Sequence, residues 1–275
     1  MPSSINTNVP AMYATQNLSK TQEQLQTSQT RISTGQKVAN AKDNGAIFAI
    51  AQVQRATSSG LNAVRESLQR GQSTADVSIA AGETISDLLV QMKEKALAAS
   101  DVQLNSSARA AMAADFAALR NQIANASEQT SFNGASLISS TATDITALAD
   151  DTGKKVITIK AQKLSLGGDN VKVQSTTTIG TKSLATQALS LVNQSIQLVS
   201  LALAKLGTGS KALYTHMNFV NKLQDAVDAG IGNIVDADLA KEGARLQSLQ
   251  TKEQLGYQAL SIANQGPSSL LSLFR

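Results

Sequence analysis

A glycine-rich stretch, "LGTGSKA" at residues 206–212, is the part of the sequence most similar to a phosphate-binding loop. A P-loop places its lysine directly after the second glycine, follows a strand and precedes a helix, so that backbone N–H groups and the lysine surround a phosphate. Here Ser210 stands between the glycine and Lys211, and the preceding residues have a helical pattern. The stretch is therefore interpreted as a flexible break between two helices rather than as a nucleotide site.

An acidic pair, Asp236 and Asp238, could in principle supply oxygen ligands to calcium. The EF-hand pattern needs further oxygen ligands and a closing glutamate at fixed spacing, and the surrounding sequence lacks them. Aspartate is also a preferred residue at the start of a helix, where its carboxylate accepts hydrogen bonds from free backbone N–H groups. Helix capping is the favoured interpretation of this pair.

The remaining candidates for catalysis are the single histidine, His216, and the serines of "GPSSLLS" at residues 266–272. One histidine cannot form a histidine-based metal cluster within one chain, and its helical spacing predicts a packed, half-buried residue. The serines have no neighbouring base to activate them. The chain has no cysteine, which excludes disulfides and thiolate chemistry. The sequence therefore predicts no enzyme, no cofactor and no metal site.

The composition of the 275-residue chain favours long helices. Its three prolines are Pro2, Pro10 and Pro267, so none interrupts residues 11–266. The net charge is only +4, and the lysines of residues 154–182 lack the arginines and aromatics of a nucleic-acid surface. No continuous apolar run approaches about 18 residues, and no cleavable leader is recognisable. We expect no nucleic-acid partner, no membrane and no cleaved signal.

Apolar and small residues recur at alternating spacings of three and four over residues 61–99, which is the pattern of a coiled coil. Small residues at positions 71–82 predict that a second helix approaches closely there. The pattern breaks at residues 100–107 and resumes in a returning helix, which ends at a turn formed by Asn133–Gly134. The seam residues of the long helix are Leu61, Val64, Leu68, Gly71, Ala75, Ser78, Gly82, Ile85, Leu89, Met92, Ala96 and Ala99.

The middle of the chain, residues 139–182, is rich in Thr, Ser and β-branched residues. Residues 155–161 and 170–175 alternate like strands, so a small antiparallel sheet or hairpin is predicted. Helix resumes at about residue 183 and continues, after the glycine break at residues 207–210, towards a further break at residues 233–242. The seam predicted for this region consists of Leu184, Ala188, Leu191, Ser195, Leu198, Ala202, Leu213, His216, Val220, Leu223, Val227, Gly230 and Ile234.

Both terminal segments are helices with a single narrow apolar seam. The first precedes a loop at residues 33–46, and the last is expected to stop or kink at Gly266–Pro267. Neither helix is stable alone, so the two are expected to pair and to leave apolar surface for other chains. The polar faces carry Gln, Ser, Thr and Asn rather than Lys and Arg, which disfavours the alternative, a secreted membrane-active helical protein. The predicted self-assembly residues are Ile5, Met12, Leu18, Leu25, Ile32, Leu239, Leu246, Leu249, Leu260, Ile262, Leu270, Leu271, Leu273 and Phe274.

Residues 4–51, 128–138 and 233–275, with "SINTN" near the start and "LSLFR" at the end, resemble bacterial flagellins, in particular the short alphaproteobacterial form. The resemblance implies a mainly α fold, in which N- and C-terminal regions form a long antiparallel helical coiled-coil bundle with a small β-hairpin insert. It further implies an inner tube-forming domain of residues 1–43 plus 232–275. Residues 44–231 would form an outer helical-bundle domain, with the β-rich insert at about residues 139–182.

The resemblance also implies a function. Flagellins are structural subunits that self-polymerise into the helical flagellar filament used for motility, and the alternative within the same machine is the hook–filament junction protein. The implied partners are other flagellin subunits, including paralogous flagellins, the flagellar export chaperone and export apparatus, and hook-associated and cap proteins. The implied location is extracellular, in the filament. Serines and threonines of residues 139–182 are candidates for O-glycosylation.

Overall fold

The computed structural model describes the backbone of residues 7–272 and the side chains of residues 7–265. The fold is mainly α with one small antiparallel sheet, as the sequence predicted. The loops at residues 35–44, 100–105 and 236–238 confirm the predicted helix breaks. The elements are α1 (Val9–Thr34), α2 (Gly45–Ala99), α3 (Ser106–Gln129), β1 (Ile145–Leu148), β2 (Val156–Ile159), α4 (Lys182–Val235) and α5 (Leu239–Ser272).

The chain packs as two units whose boundaries fall inside helices. Unit 1 contains the residues up to Ala56 and those from Ala226 onward, and unit 2 is Thr57–Asp225. The sequence-based boundaries were placed at residues 43/44 and 231/232, where helical patterns are interrupted. In the structure α2 and α4 each continue across a unit boundary, because an unbroken helix can contribute different turns to two clusters of contacts.

The core of unit 2 lies along the seam of α2. Every residue of the seam predicted for residues 61–99 is buried, which confirms the heptad pattern. The helices α2 and α4 run antiparallel and very close together. A β-carbon on Gly71 would lie 3.2 Å from Leu213 Cδ1, and one on Gly82 would lie 2.6 Å from Leu203 Cδ2. The small residues of the seam therefore admit α4, as predicted.

Helix α4 is continuous through residues 207–210, so the predicted glycine break is wrong. Its buried seam is also shifted by one residue at several positions, because Ala185, Val192 and Val199 face the core where Leu184, Leu191 and Leu198 were expected. Leucine was misleading here, since close helix packing favours smaller side chains at the contact. The spacing alternates between three and four from Ala185 to Leu206 and is then seven, so the heptad register is kept along the buried residues Ala185, Ala188, Val192, Ser195, Val199, Ala202, Leu206, Leu213 and Val220.

The two glycines of this stretch have different surroundings, which gives a testable contrast. A β-carbon on Gly209 would lie 3.0–3.2 Å from three side-chain atoms of Ile159 in β2, whereas one on Gly207 would meet nothing within 4 Å. We expect Gly209→Leu to destabilise the protein by about 1–3 kcal/mol through overpacking. The matched variant Gly207→Leu gains helix propensity and is expected to be neutral or stabilised by up to about 1 kcal/mol. Urea unfolding measures both, and equal stabilities would contradict the assigned packing.

The predicted β-hairpin is present, but the strand that pairs with residues 155–161 is Ile145–Leu148 rather than the predicted residues 170–175. Strand β2 lies within the predicted residues 155–161 and pairs antiparallel with β1, with Ile145 opposite Ile159. Residues 170–175 form no strand. Val171 makes only an isolated bridge to Leu166, and the N–H of Lys172 donates to Ser195 Oγ at 2.8 Å. Val171 and Val173 are buried in the core of unit 2, whereas Gln174 is exposed, so the alternating pattern reflects packing rather than strand pairing.

The turn after α3 is confirmed. Asn133 and Gly134 have φ values of 50° and 77°, and Phe132 and Ala135 exchange hydrogen bonds of 2.9 and 3.0 Å. Two successive positive φ values are the signature of a type I′ turn. The last helix does not stop at Gly266–Pro267, because α5 continues to Ser272, and the alternative of a kink there stays a prediction.

One helix of the described chain is long and apolar enough to cross a membrane by length and composition alone. An 18-residue window of α4 has a mean hydropathy of 1.2, although it contains no continuous apolar run of that length. The core helix of a coiled-coil bundle meets the same criterion. Helix α4 buries its seam in the core of unit 2, and 28% of this window is buried.

Candidate functional site

The terminal helices α1 and α5 pair antiparallel within unit 1. Near the start of α1, Asn8 Nδ2 donates to the carbonyl of Ala263 at 2.8 Å, and in its middle Gln22 Nε2 donates to Tyr257 Oη at 3.0 Å. Near its end, Ser28 Oγ donates to Glu242 Oε2 at 2.6 Å. As the residue number rises along α1, that of its partner on α5 falls, so the two helices are antiparallel. The pairing itself was predicted from the two narrow seams.

Two loops that are distant in sequence meet at one end of this pair. Gly35 ends α1 with a φ of 70°, a left-handed conformation that favours glycine. The N–H of Lys37 donates to Val235 O at 2.7 Å, and the N–H of Ala237 donates to Gly35 O at 2.9 Å. The loops after α1 and before α5 are thus joined by backbone hydrogen bonds, which hold the end of α1 next to the start of α5.

The acidic pair predicted to cap a helix is placed in the second of these loops. Asp238 Oδ1 accepts from the N–H of Lys241 at 3.1 Å, which confirms its capping of α5. Asp236 lies just after α4, where it forms a backbone bridge with Gln36. Among the described residues, no three or more His, Cys, Asp or Glu side chains are grouped so that they could hold a metal ion.

The apolar contact between α1 and α5 is narrow. Leu18 of α1 and Leu249 of α5 are buried, and they are the only large apolar side chains of the described parts of these two helices that are. A β-carbon on Gly256 would lie 3.1 Å from Leu18 Cδ1, so the helices approach closely at that point. A pair held by so little apolar area gains limited stability from its own packing.

A buried carboxylate contributes the main polar link. Glu242 is 8% exposed, accepts the hydrogen bond from Ser28, and forms an ion pair with Arg31 Nη1 at 3.0 Å. The hydrogen bond from Ser28 and the nearby charge of Arg31 lower the pKa of Glu242, whereas burial raises it. The net effect is a pKa below the ordinary value. Sequence reasoning missed this group. Its only signal was the position of Ser28, three residues after Leu25 and therefore on the seam side of α1.

The predicted self-assembly residues whose side chains the structure describes are exposed, buried or half-buried. Met12, Leu239 and Ile262 are 64%, 53% and 69% exposed. Leu18 and Leu249 are buried between the helices, whereas Leu25, Ile32, Leu246 and Leu260 are half-buried. Ile5, Leu273 and Phe274 lie outside the described residues, and the side chains of Leu270 and Leu271 also lie outside the described part.

Further exposed apolar residues lie on the same two helices and were not predicted. They sit beside the seam rather than on it, so a heptad count passes over them. Together with the exposed predicted residues they give the paired helices a set of exposed apolar side chains, which we name the terminal apolar surface and which consists of Val9, Met12, Tyr13, Leu239, Leu255, Tyr257 and Ile262. Ile50 and Val53 on the first turns of α2 are exposed as well.

His216 and the stretch 206–212, which were also considered for chemistry, are both parts of helix α4. His216 is half-buried, with Nε2 2.8 Å from the carbonyl oxygen of Ala149 and its ring 5.7 Å from that of Phe219. This confirms the prediction of a packed helix residue. The stretch 206–212, which resembled a phosphate loop, lies inside α4, where backbone N–H groups are engaged in the helix and cannot surround a phosphate.

Comparisons with known proteins give one consistent result. The family profile of the bacterial flagellin N-terminal helical region matches residues 5–143, and that of the bacterial flagellin C-terminal helical region matches residues 189–274. Flagellin FljK of Caulobacter vibrioides is 54% identical over 99% of this chain and 98% of its own length. Flagellin FljJ of the same organism is 40% identical, and a flagellin of Brucella melitensis is 30% identical over 99% of both chains. The crystal structure of Bacillus cereus flagellin shares the fold, with a TM-score of 0.50 and 21% identity over 56% of this chain and 88% of that one.

Proposed function

The chain belongs to the bacterial flagellin family, and we propose that it is a structural subunit that polymerises with copies of itself into the helical flagellar filament used for motility. The observation that carries the proposal is the terminal apolar surface, which the described residues of one chain leave uncovered. Val9, Met12 and Tyr13 line one hollow at the start of α1, and a cluster of exposed apolar side chains marks a site of association. The occupant proposed here is a second copy, because the family forms homopolymers and the surface lies on the helices shared by the whole family.

The paired helices α1 and α5 are suited to this role by their thin contact. Leu18 and Leu249 are the only large apolar side chains of the described parts of the pair that are buried, so exposed ones such as Met12 and Ile262 remain available to neighbours. Contacts of a head-to-tail kind do not close on themselves, and a repeated non-closing rotation generates a helical polymer. In this proposal residues 1–43 and 232–275 build the inner tube, with the predicted self-assembly residues at its contacts, and residues 44–231 form the outer shell.

The finer parts of the proposal follow from family membership. The subunit is exported through the flagellar apparatus with the help of an export chaperone and is located outside the cell. Its partners at the filament ends are hook-associated and cap proteins, and paralogous flagellins share the filament. The role is structural and involves no catalytic step. Support for these points is the full-length similarity to curated flagellins, at 52–54% identity for several Caulobacter proteins.

The alternatives are less well supported. A hook–filament junction protein shares the helical plan, but the relatives matched over nearly the full length are named flagellins. A membrane-active helical protein would need a cationic polar face on its amphipathic helices. The polar face of α1 instead carries residues such as Gln16, Thr27 and Gln29, which are exposed and uncharged.

Polymerisation of the purified chain tests the proposal directly. We expect short sonicated filament seeds to elongate into long filaments, seen by electron microscopy, when purified subunit is added at neutral pH. A chain truncated after Ala237, which lacks α5, is the negative control. Rings of few subunits would favour the junction protein, and release of dye from lipid vesicles would favour the membrane-active alternative. A full-length chain that remains monomeric with seeds would contradict the proposal.

A further inference from the structure

Met12 differs from the other described methionines in its exposure. Its side chain is 64% exposed near the start of α1, whereas Met92 is completely buried. Met112 and Met217 are partly buried and pack against the core of unit 2. A thioether reacts with a dissolved oxidant only where the oxidant can reach the sulfur, so Met12 is the accessible target among these residues.

Met12 lies among exposed apolar residues, so oxidation of its sulfur would change the polarity of a surface proposed to contact another subunit. Val9 and Tyr13 are exposed beside it, and Met12 forms part of two shallow hollows, one lined with Ala11 and Thr15 and the other with Val9 and Tyr13. Methionine is flexible and polarisable, and it adapts well to an apolar partner surface. In the proposed filament, this position is covered by a neighbouring subunit.

We propose that Met12 is an oxidation site through which hydrogen peroxide blocks addition of a subunit to the filament. This inference rests on the function proposed above. In the reaction one peroxide oxygen is transferred to the Met12 sulfur, so an S–O bond forms and the O–O bond breaks. The sulfur loses two electrons and becomes a sulfoxide, and the peroxide is reduced to water. The product is a polar, hydrogen-bond-accepting group in place of an apolar one.

The physical consequence differs between the free and the assembled chain. A sulfoxide oxygen remains hydrated in the free subunit, where the position is open to water. Assembly would bury that oxygen against apolar side chains, and burial of an unpaired polar group is unfavourable. The same burial excludes peroxide from subunits that are already assembled. Oxidation therefore disables free subunits and spares the filament.

A partition experiment on the unaltered protein tests this directly. Purified subunit is treated with hydrogen peroxide until about half of the Met12 is oxidised, the peroxide is removed, and filament seeds are added. Mass spectrometry then compares sulfoxide at each methionine in pelleted filaments and in the supernatant. We expect Met12 sulfoxide to be depleted at least about tenfold in the pellet, which corresponds to about 1.4 kcal/mol. Equal Met12 sulfoxide fractions in pellet and supernatant would overturn the proposal.

Two variants separate Met12 from the other methionines. For Met12→Leu, the elongation of the peroxide-treated sample should equal that of its own untreated sample, whatever that value is. Met217→Leu removes a partly buried methionine of unit 2 and should remain sensitive to peroxide. Treatment of finished filaments should leave Met12 largely unoxidised, and rapid oxidation there would contradict the burial. If untreated wild-type protein fails to elongate seeds, the proposed function is wrong. If oxidised subunits elongate seeds normally, only the inference about Met12 is wrong.

Discussion

Replacing Ile262 with aspartate is expected to abolish filament elongation while leaving the subunit folded. Ile262 is 69% exposed on α5, and surface substitutions of this kind usually change stability by less than about 0.5 kcal/mol. In the proposed filament we expect the same side chain to be covered, and an unpaired carboxylate in an apolar contact costs several kcal/mol. Each 1.4 kcal/mol raises the concentration of subunit needed for growth about tenfold. Sedimentation of polymer at increasing subunit concentration measures this threshold.

The matched control is Asn264→Asp, which adds the same charge two residues further along α5 at an exposed polar position. We expect its growth threshold to rise far less, because no apolar side chain is lost and the carboxylate nearly matches the amide in shape. Circular dichroism of both variants verifies the helical fold of the subunit. If Ile262→Asp elongates as readily as Asn264→Asp, the terminal apolar surface is not the assembly contact at this position.

Replacing Glu242 with alanine is expected to separate α1 from α5. The substitution removes the acceptor of Ser28 and the partner of Arg31, and it leaves a hydroxyl and a guanidinium facing each other near the seam. Loss of a buried hydrogen-bonded carboxylate costs about 1–3 kcal/mol, and more where the remaining charge stays buried. A pair with so little apolar contact has few other interactions to offset that loss. Amide exchange along α1 and α5 in the free subunit is expected to accelerate about tenfold or more, with α2 and α4 unchanged in unit 2.

The control on the same helix is Glu253→Ala. The Glu253 carboxylate accepts only weaker, exposed hydrogen bonds, from Gln22 at 3.3 Å and from Tyr257 at 3.4 Å. Exposed interactions of this kind contribute little, so exchange should barely change. Similar acceleration in both variants would show that any lost side chain on α5 loosens the pair and that Glu242 has no special role.

The same carboxylate gives the pair a defined pH dependence. The pKa of Glu242 in the folded chain lies below its ordinary value of 4.5, so the folded state binds the proton less readily than the unfolded one. The stabilisation is therefore complete above about pH 4.5 and is lost as the pH falls through the lowered folded-state value. Wild-type exchange in α1 should accelerate with acid over that range, relative to the intrinsic rate. Glu242→Gln should be nearly independent of pH there, and a wild-type profile identical to that of Glu242→Gln would contradict the assignment.

The pattern of apolar residues was sufficient to predict the long helix α2 and its seam, the breaks after α1 and α2, the turn at Asn133–Gly134 and the pairing of the terminal helices. These features depend on local periodicity and on residues with strong backbone preferences, which are readable without knowledge of distant contacts. Resemblance in the terminal stretches identified the family, and the comparisons confirm it.

Contacts between distant segments decided the rest. Gly209 was interpreted as a helix break because glycine weakens a helix locally, but the approach of Ile159 gives it a packing role inside one. The strand that pairs with β2 and the one-residue shift of the α4 seam both depend on which neighbour each side chain meets. Ser28 and Glu242, separated by more than two hundred residues, carry no sequence signal that marks them as partners.

The sequence by itself therefore determined most of the helical segments and the loops after α1, α2 and α4, because those features are set by neighbours within a few residues, and its terminal stretches identified the family. It did not determine that α4 continues through residues 207–210 or that α5 continues past Gly266–Pro267. Only the tertiary structure decided which apolar residues of α1 and α5 are buried between the two helices and which remain exposed. Sequence reasoning assigned both Leu18 and Met12 to the self-assembly residues and could not separate them. Their difference arises from Gly256 approaching one of them, while no described residue of the chain buries the other.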